Sequence, residues 1–127
     1  MENLRKNTIE FLSMLDGYHE VLKGLHWSAV QHSKHVLTDE IDGDILEYQD
    51  KIAEIVMGMI NDKFKVGELK ALMSDAKDCE SMLNELESDT LAYKDNIGDE
   101  PKVAAIHNII DDMLSDIYKW KYLNTLS

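Results

Sequence analysis

Residues 34–60 carry the pattern that most constrains this chain, because they read as one long helix with two opposed faces. With ~100° of rotation per residue, its aliphatic side chains gather between ~200° and ~300° from His35. They are Ile41, Ile45, Tyr48, Ile52, Ile55, Val56 and Met59. We expect this side to face the protein core and Ser33 to cap the helix N-terminus.

The opposite face of the same helix carries an imidazole and three carboxylates. His35, Asp39, Asp50 and Glu54 lie within ~100° of one another, with few lysines or arginines among them. Imidazole and carboxylate are suitable ligands for iron. Affinities of divalent metals follow the Irving–Williams order at most sites, so the geometry of the site must select the metal. We therefore predict that this face binds metal, although a solvated polar face is the simpler alternative.

One helix cannot bring these four residues to a single small site. Asp39 and Asp50 are eleven positions apart, which is ~16 Å along the axis, whereas metal–ligand bonds are ~2 Å long. Two copies crossing antiparallel near Gly43 would place His35 and Asp39 of one opposite Asp50 and Glu54 of the other. A two-fold axis then creates two equal sites per dimer. Gly43, which has no side chain, would let the helices approach closely.

A histidine–tryptophan pair lies ahead of this helix and completes a recognisable set. The residues in register are His26, Trp27, His35, Asp39, Asp50 and Glu54. The chain here resembles the Dps family of mini-ferritins, best over residues 18–60. The GDE sequence at residues 98–100, followed by an aliphatic helix, is a further likeness.

The resemblance implies an all-α fold, a ferritin-like four-helix bundle with one long crossover that carries a short helix. It implies an iron-binding mini-ferritin that oxidises Fe²⁺ with hydrogen peroxide, stores ferric iron and protects against oxidative damage. Two irons would bind each site. The implied metal ligands are His26, His35 and Asp39 from one chain, with Asp50 and Glu54 from its partner.

The resemblance also implies an assembly, in which two-fold dimers build a shell of twelve subunits around the mineral. Trp27 would lie near the iron site, at the dimer seam. Whether His26 or His32 is the histidine ligand from this part of the chain stays open, because the connection between His26 and His35 is short. Glu47 is a weaker candidate at the margin of the ligand face.

The composition argues against several other classes of protein. The chain has 127 residues, enough for one domain over residues 1–127, and a net charge of −12. We expect no direct nucleic-acid binding from so acidic a chain. The single Cys79 excludes an internal disulfide framework and fits a reducing compartment, the cytoplasm. No apolar run reaches the ~20 residues of a membrane span, so no membrane partner is expected.

Helical periodicity also organises the rest of the chain. The first helix is predicted over residues 3–30, with Leu15 and Leu22 on its inner side, and the short turn after it predicts an antiparallel hairpin with the second helix. The fourth helix is predicted from Asp99, as N-cap, to about residue 126. Its inner side is predicted to carry Val103, Ile106, Ile110, Met113 and Ile117. The third helix is predicted from Ser74 or Asp75 to about residue 96. Residues 67–73 are expected to form one or two helical turns across the bundle.

The remaining polar residues have simpler interpretations. His19 and His107 are expected to be structural. Gly98 is placed to follow the third helix in a left-handed conformation. Capping is sufficient to explain Asp99 and Glu100, although acidic residues in this region line cation pores in Dps shells.

Two other functions fit the same helices. One is a metal-free helical interaction protein that keeps only the fold, and the other is a dimeric metal-binding bundle that stores nothing. A ferritin-type site inside one bundle requires inward Glu-x-x-His steps, which this sequence lacks. Iron binding and particle size distinguish the remaining possibilities.

Overall fold

A computed structural model describes residues 2–126 of the chain, with side chains from Asn3 onward, and the regular structure within them is helical. The elements are α1 (Glu2–Ser28), α2 (His32–Ile60), α3 (Cys79–Asn96) and α4 (Ala104–Asn124), with a 3-10 turn at Pro101–Val103 ahead of α4. No helix in the described part of the chain is long and apolar enough to cross a membrane.

The hairpin of α1 and α2 follows from the short connection at residues 29–31. The predicted core faces are confirmed, since Leu15 and Leu22 of α1 and Ile45 and Ile52 of α2 are fully buried. Burying each such side chain contributes about 1.5–3 kcal/mol relative to leaving it in water. The hairpin therefore turns the polar face of α2 away from its own core.

The N-terminus of α2 differs from the prediction, because Ser33 lies inside the first turn and does not cap it. The N-cap is Gln31, whose backbone is extended and whose side chain makes no capping hydrogen bond. Its carbonyl accepts hydrogen bonds from the backbone N–H groups of Lys34 and His35, both at 3.1 Å. The hydrogen bonds of the helix therefore begin at the Gln31 carbonyl, two residues before the predicted cap.

The segment between α2 and α3, residues 61–78, contains no helix, so the prediction of a short helix at residues 67–73 was wrong. Its backbone donors bond to α1 instead. Leu72 donates its N–H to the Ser13 carbonyl at 3.0 Å, and Lys70 donates to the Ser13 hydroxyl at 3.3 Å. Bonds of this kind hold the segment against α1 and leave those donors unavailable for helix formation.

The same linker runs along most of the length of α1. It begins beside Arg5, which hydrogen-bonds the Lys63 carbonyl and the Glu68 carboxylate. It ends where Cys79 lines a groove together with Leu25 of α1. The linker therefore carries the chain from one end of the bundle to the other, and α3 starts where α1 ends.

Helix α3 begins at a different cap from the one predicted. The Asp78 carboxylate accepts the N–H of Ser81 at 2.8 Å and is the N-cap. Ser74 donates its hydroxyl to Glu85 at 2.6 Å instead. The linker reaches α1 through residues 70–72, so the chain turns into a helix only after it leaves that contact. Gly98 follows the helix with φ +78°, which confirms the predicted left-handed position.

Helix α4 also starts without the predicted cap. Glu100, not Asp99, precedes the 3-10 turn, and its side chain makes no capping bond. Pro101 occupies the first position of that turn, where its missing N–H leaves no bond unmade. The predicted inner positions are confirmed by burial: Val103, Ile106, Ile110, Met113 and Ile117.

The four helices form a closed ring of neighbours. Helix α1 packs against α2 and α3, and α4 packs against the same two helices. Neighbouring helices are antiparallel, because residue numbers rise along one helix of a contacting pair as they fall along the other. These contacts are Tyr18–Asp89, Asn7–Asn96, Tyr48–Asp116 and Lys34–Asn124.

Candidate metal centre

The structure places the five predicted ligands at the α1–α2 side of the bundle. His26 lies half-buried in the last turn of α1, and His35 is exposed near the start of α2. Asp39, Asp50 and Glu54 are all exposed along α2. Helix α2 is continuous through these positions, so the ~1.5 Å rise per residue applies between them.

His26 and His35 lie in direct contact. Their rings are stacked, with centroids 3.7 Å apart and an interplanar angle of 21°. Nδ1 of His26 lies 2.7 Å from the backbone carbonyl of His35, and Nδ1 of His35 lies 3.0 Å from the carbonyl of His26. The three-residue turn produces this reciprocal contact by bringing the last turn of α1 against the first turn of α2.

These contacts favour one position for the ring proton. A carbonyl oxygen only accepts hydrogen bonds, so both contacts are hydrogen bonds when each Nδ1 is protonated and donates. In a neutral imidazole the other nitrogen, Nε2, then keeps its lone pair. Histidines that bind metals are usually arranged in this way, with one ring N–H donating to a carbonyl or carboxylate.

Thr38 is a residue near the site that the sequence did not identify. It is 3% exposed and lies behind the two histidines. Its hydroxyl oxygen is 2.9 Å from the Lys34 carbonyl, 3.1 Å from the His35 carbonyl and 3.4 Å from Nδ1 of His26. A polar side chain on the aliphatic side of α2 was the only sequence signal that could have identified Thr38. That signal is weak, because threonines within helices commonly bond to the carbonyl four residues back.

The two halves of the predicted site lie apart within one chain. Asp39 is one turn from His35, and Glu54 is one turn from Asp50, but Asp39 and Asp50 are separated by ~16 Å of helix. Within the residues that the structure describes, no group of three or more His, Cys, Asp or Glu side chains is placed to hold a metal ion. The chain by itself therefore separates the predicted ligands into two groups, His26, His35 and Asp39 in one and Asp50 and Glu54 in the other, which are called half-sites below.

The charge near these half-sites is negative. No lysine or arginine of α2 falls in the ~120° sector that holds His35 and the three carboxylates. Next to this sector, burial raises the pKa of Asp44, and the carboxylates of Asp116, Glu40 and Glu47 raise it further. A surface of this kind attracts cations.

Apolar side chains accompany the half-sites. Trp27 is 75% exposed, Val36 is 48% exposed and Leu46 is 38% exposed. A Cβ added to Gly43 would meet no atom within 4 Å, so no contact inside the chain requires a glycine there. Met57 of α2 contacts the linker of its own chain, since the backbone N–H of Phe64 lies 3.3 Å from its sulfur.

The other histidines have different surroundings. His32 is exposed, with its ring 6.5 Å from that of His35, so it lies close enough to remain the alternative ligand. His19 binds Asp42 of α2 at 2.6 Å through Nδ1, a contact that joins the helices of the hairpin. Nε2 of His107 is buried and has no hydrogen-bond partner among the described residues.

Asp99 lines a groove of about 480 Å³ at the other end of the bundle, together with Lys94, Asp95 and His107. Glu100 instead lies 3.6 Å from the ammonium of Lys102. Neither carboxylate caps a helix, so the explanation of these two residues by capping was wrong.

Comparison with known proteins identifies the family. The sequence model of a family of unknown function, DUF5856, matches residues 26–123. The chain belongs to this family. The residues that match DUF5856 begin at His26 and include all five candidate ligands, as well as α2, α3 and nearly all of α4. No curated protein and no solved structure matches the chain.

Proposed function

We propose that this DUF5856 protein binds Fe²⁺ at sites shared by two copies of the chain and oxidises it, in the manner of a mini-ferritin. One observation carries the proposal. His26 and His35 use Nδ1 for backbone carbonyls, which leaves both Nε2 atoms as potential ligands beside a carboxylate face without lysine or arginine. Imidazole and carboxylate are suitable ligands for iron.

The dimer completes each site. When two α2 helices cross antiparallel near Gly43, the His26, His35 and Asp39 half of one chain meets Asp50 and Glu54 of the other. Exposed Trp27, Val36 and Leu46 provide apolar contact around the crossing. The open space at Gly43 supports close approach by a second helix, since an exposed mid-helix glycine otherwise weakens the helix by about 1 kcal/mol.

The histidine geometry favours two ions in each site. A lone pair on Nε2 lies in its ring plane, and a ligand nitrogen binds a metal at ~2.0–2.1 Å. The two ring planes are tilted by only 21° and their centroids are 3.7 Å apart. The two planes therefore do not intersect at any point that is ~2 Å from both Nε2 atoms, and one ion cannot bind both lone pairs. Each histidine would therefore hold its own Fe²⁺, and Asp50 of the partner chain would supply a carboxylate near both ions.

The reaction uses the two ions together. Each Fe²⁺ gives one electron to hydrogen peroxide, and two protons complete the formation of two waters and two Fe³⁺. The two-electron reduction breaks the O–O bond without releasing a hydroxyl radical. Carboxylates favour the oxidation because their negative charge stabilises Fe³⁺ more than Fe²⁺.

The arrangement of helices supports a ferritin-like classification. Two hairpins, α1–α2 and α3–α4, are joined by a linker that runs the length of the bundle, which is the one-crossover arrangement of ferritin-like folds. The helix-free linker departs from the Dps pattern. We propose that dimers assemble into a closed shell, with twelve subunits as the expected number, and that the shell stores ferric iron.

We expect protection through iron and peroxide chemistry rather than through contact with DNA. The chain has a net charge of −12, with 25 acidic residues against 13 lysines and arginines. A protein binds DNA mainly by neutralising phosphates with lysine and arginine. A salt-dependent gel shift at physiological ionic strength would contradict this part of the proposal.

A second function is a helical interaction module that binds no iron. The reciprocal bonds of His26 and His35 favour it, because they also join two helix ends without any metal. The exposed Trp27 would then contact a protein partner. This module would dimerise or bind its partner equally well with and without iron.

The first experiment is an anaerobic Fe²⁺ titration followed by peroxide. Wild type should bind about two Fe²⁺ per chain, since each dimer holds two sites, and oxidise them rapidly. Asp50→Ala should bind and oxidise far less, whereas Asp75→Ala removes an exposed linker carboxylate and should behave as wild type. Equal iron binding by wild type and Asp50→Ala would exclude the site.

A mixing experiment tests whether the site is shared. One variant carries His35→Ala and Asp39→Ala, and the other carries Asp50→Ala and Glu54→Ala; each alone should be inactive. Random pairing after joint refolding should restore about a quarter of wild-type activity, because half the dimers contain one intact site. No recovery in a sample shown by native mass spectrometry to contain heterodimers would contradict a shared site.

A further inference from the structure

Thr38 differs from an ordinary helix threonine in the groups it contacts. Thr90 of α3 is the ordinary case: it is buried and donates its hydroxyl to the Leu86 carbonyl at 2.6 Å. Thr38 makes the equivalent bond to Lys34, but its oxygen also lies near the His35 carbonyl and Nδ1 of His26. A second helix end is therefore in contact with the same hydroxyl.

Two oxygens face a single N–H group at this point. The His35 carbonyl lies 2.7 Å from Nδ1 of His26, and the Thr38 oxygen lies 3.4 Å from the same nitrogen. The His35 carbonyl only accepts hydrogen bonds, and the Thr38 oxygen accepts when its own proton is donated to the Lys34 or His35 carbonyl. A protonated Nδ1 therefore has two acceptors, whereas an unprotonated Nδ1 would face the His35 carbonyl oxygen with no hydrogen between them.

His35 has a weaker arrangement. Its Nδ1 lies 3.0 Å from the His26 carbonyl, and no hydroxyl is recorded beside it among the described residues. In water, neutral imidazole of histidine favours the form protonated at Nε2, which lacks the lone pair that a metal needs there. His26 therefore has the closer carbonyl and an additional hydroxyl beside its Nδ1, whereas His35 has one carbonyl. His26 is also the residue whose orientation depends on the short turn.

We propose that Thr38 is a positioning residue, which with the His35 carbonyl holds His26 in its Nδ1-protonated form and leaves Nε2 available to Fe²⁺. The role of Nε2 as an iron ligand rests on the proposed function, whereas the position of the proton does not. Thr38 itself touches no iron, since it is buried on the core side of α2. It acts on iron binding only through the ring of His26.

The proton position is measurable without iron. Nitrogen-15 NMR of histidine-labelled protein at about pH 8.5, where ordinary histidine is neutral, distinguishes the two ring forms by their nitrogen shifts. His26 and His35 should both be Nδ1-protonated in wild type. Thr38→Val, which keeps the shape and removes the hydroxyl, should shift His26 toward the Nε2-protonated form and leave His35 less changed.

Two further variants control for packing. Thr38→Ser keeps the hydroxyl and should restore the wild-type His26 pattern, whereas Thr90→Val removes a buried hydroxyl elsewhere and should leave both histidines unchanged. Fe²⁺ affinity should fall in Thr38→Val, by about tenfold at most because the His35 carbonyl remains as a partner of Nδ1, and should recover in Thr38→Ser.

The outcomes separate this proposal from the proposed function. A wild-type His26 protonated at Nε2 overturns the role of Thr38, and this measurement suffices even if Thr38→Val does not fold. An unchanged His26 in folded Thr38→Val overturns it as well. If the NMR results are as expected but wild type binds no Fe²⁺, Thr38 positions the ring and the iron function is wrong.

Discussion

Gly17 of α1 lies directly against the backbone of Leu72 in the linker, so closely that a Cβ at residue 17 would overlap the Leu72 carbonyl oxygen. One turn earlier, the Ser13 carbonyl accepts the N–H of Leu72 at 3.0 Å. The linker can therefore follow this path only if residue 17 is glycine, because both sides of the contact are backbone and moving either one would cost stability.

We expect Gly17→Ala to lower the free energy of unfolding by about 1–3 kcal/mol, since overpacking against backbone exceeds the gain in helix propensity. Gly24→Ala is the matched control in the same helix, where a Cβ meets nothing within 4 Å. That substitution should stabilise the protein by about 0.5–1 kcal/mol. Urea unfolding of both variants measures the difference, and similar behaviour would show that the linker does not lie against Gly17.

The contact between Arg5 and Glu68 should make linker attachment sensitive to acid. The guanidinium of Arg5, followed by the N–H of Lys65, lowers the pKa of Glu68 from about 4.5 to about 2. Because the folded pKa lies below the unfolded one, this stabilisation is present above about pH 4.5 and is lost as the pH falls toward 2.

The measurement is the difference in unfolding free energy between wild type and Glu68→Gln across that pH range. The difference should be constant above about pH 5 and shrink toward pH 2. Glu10→Gln, at an exposed position on α1, is the comparison variant that removes one carboxylate away from Arg5. A constant difference for Glu68→Gln down to pH 2 would indicate that Arg5 does not bind this carboxylate.

The buried pair of Tyr93 and Thr8 joins α3 to α1 through a hydrogen bond of 2.8 Å. The ring of Tyr93 also stacks on Phe11 at 4.4 Å. Tyr93→Phe keeps the stacking but removes the phenol, so we expect a loss of about 1–3 kcal/mol from the unpaired Thr8 hydroxyl. Tyr122→Phe, at a site 63% exposed, should change unfolding by less than about 0.5 kcal/mol. Equal thermal or urea unfolding of the two variants would rule out the buried bond.

The proposed dimer predicts a size-dependent effect at Gly43. Gly43→Leu should break the two-fold contact, so light scattering should show particles smaller than wild type while the helix content stays the same, because the space at residue 43 is open within the chain. Ala92→Leu adds side-chain volume at an exposed position of α3, the helix diagonally opposite α2, and should leave the two-fold contact intact. A dimer that tolerates Gly43→Leu would mean that the helices do not cross there.

The sequence by itself determined the helices and their inward faces, because those depend on periodicity within each segment. The stripes at Ile41–Ile45–Ile52 and Ile106–Ile110–Ile117 are buried as predicted, and Gly98 has the left-handed conformation expected after α3. The antiparallel hairpin of α1 and α2 likewise followed from the shortness of its turn.

Only the tertiary structure decided what lies between and behind these helices. The linker contains no helix because Ser13, far away in the sequence, hydrogen-bonds its backbone and Gly17 leaves room for it. The stacking of His26 on His35, and the hydroxyl of Thr38 behind them, arise where two helix ends meet. Such contacts depend on distance in space between residues that no local periodicity relates, and this is why the sequence pattern identified the histidines but not what holds them.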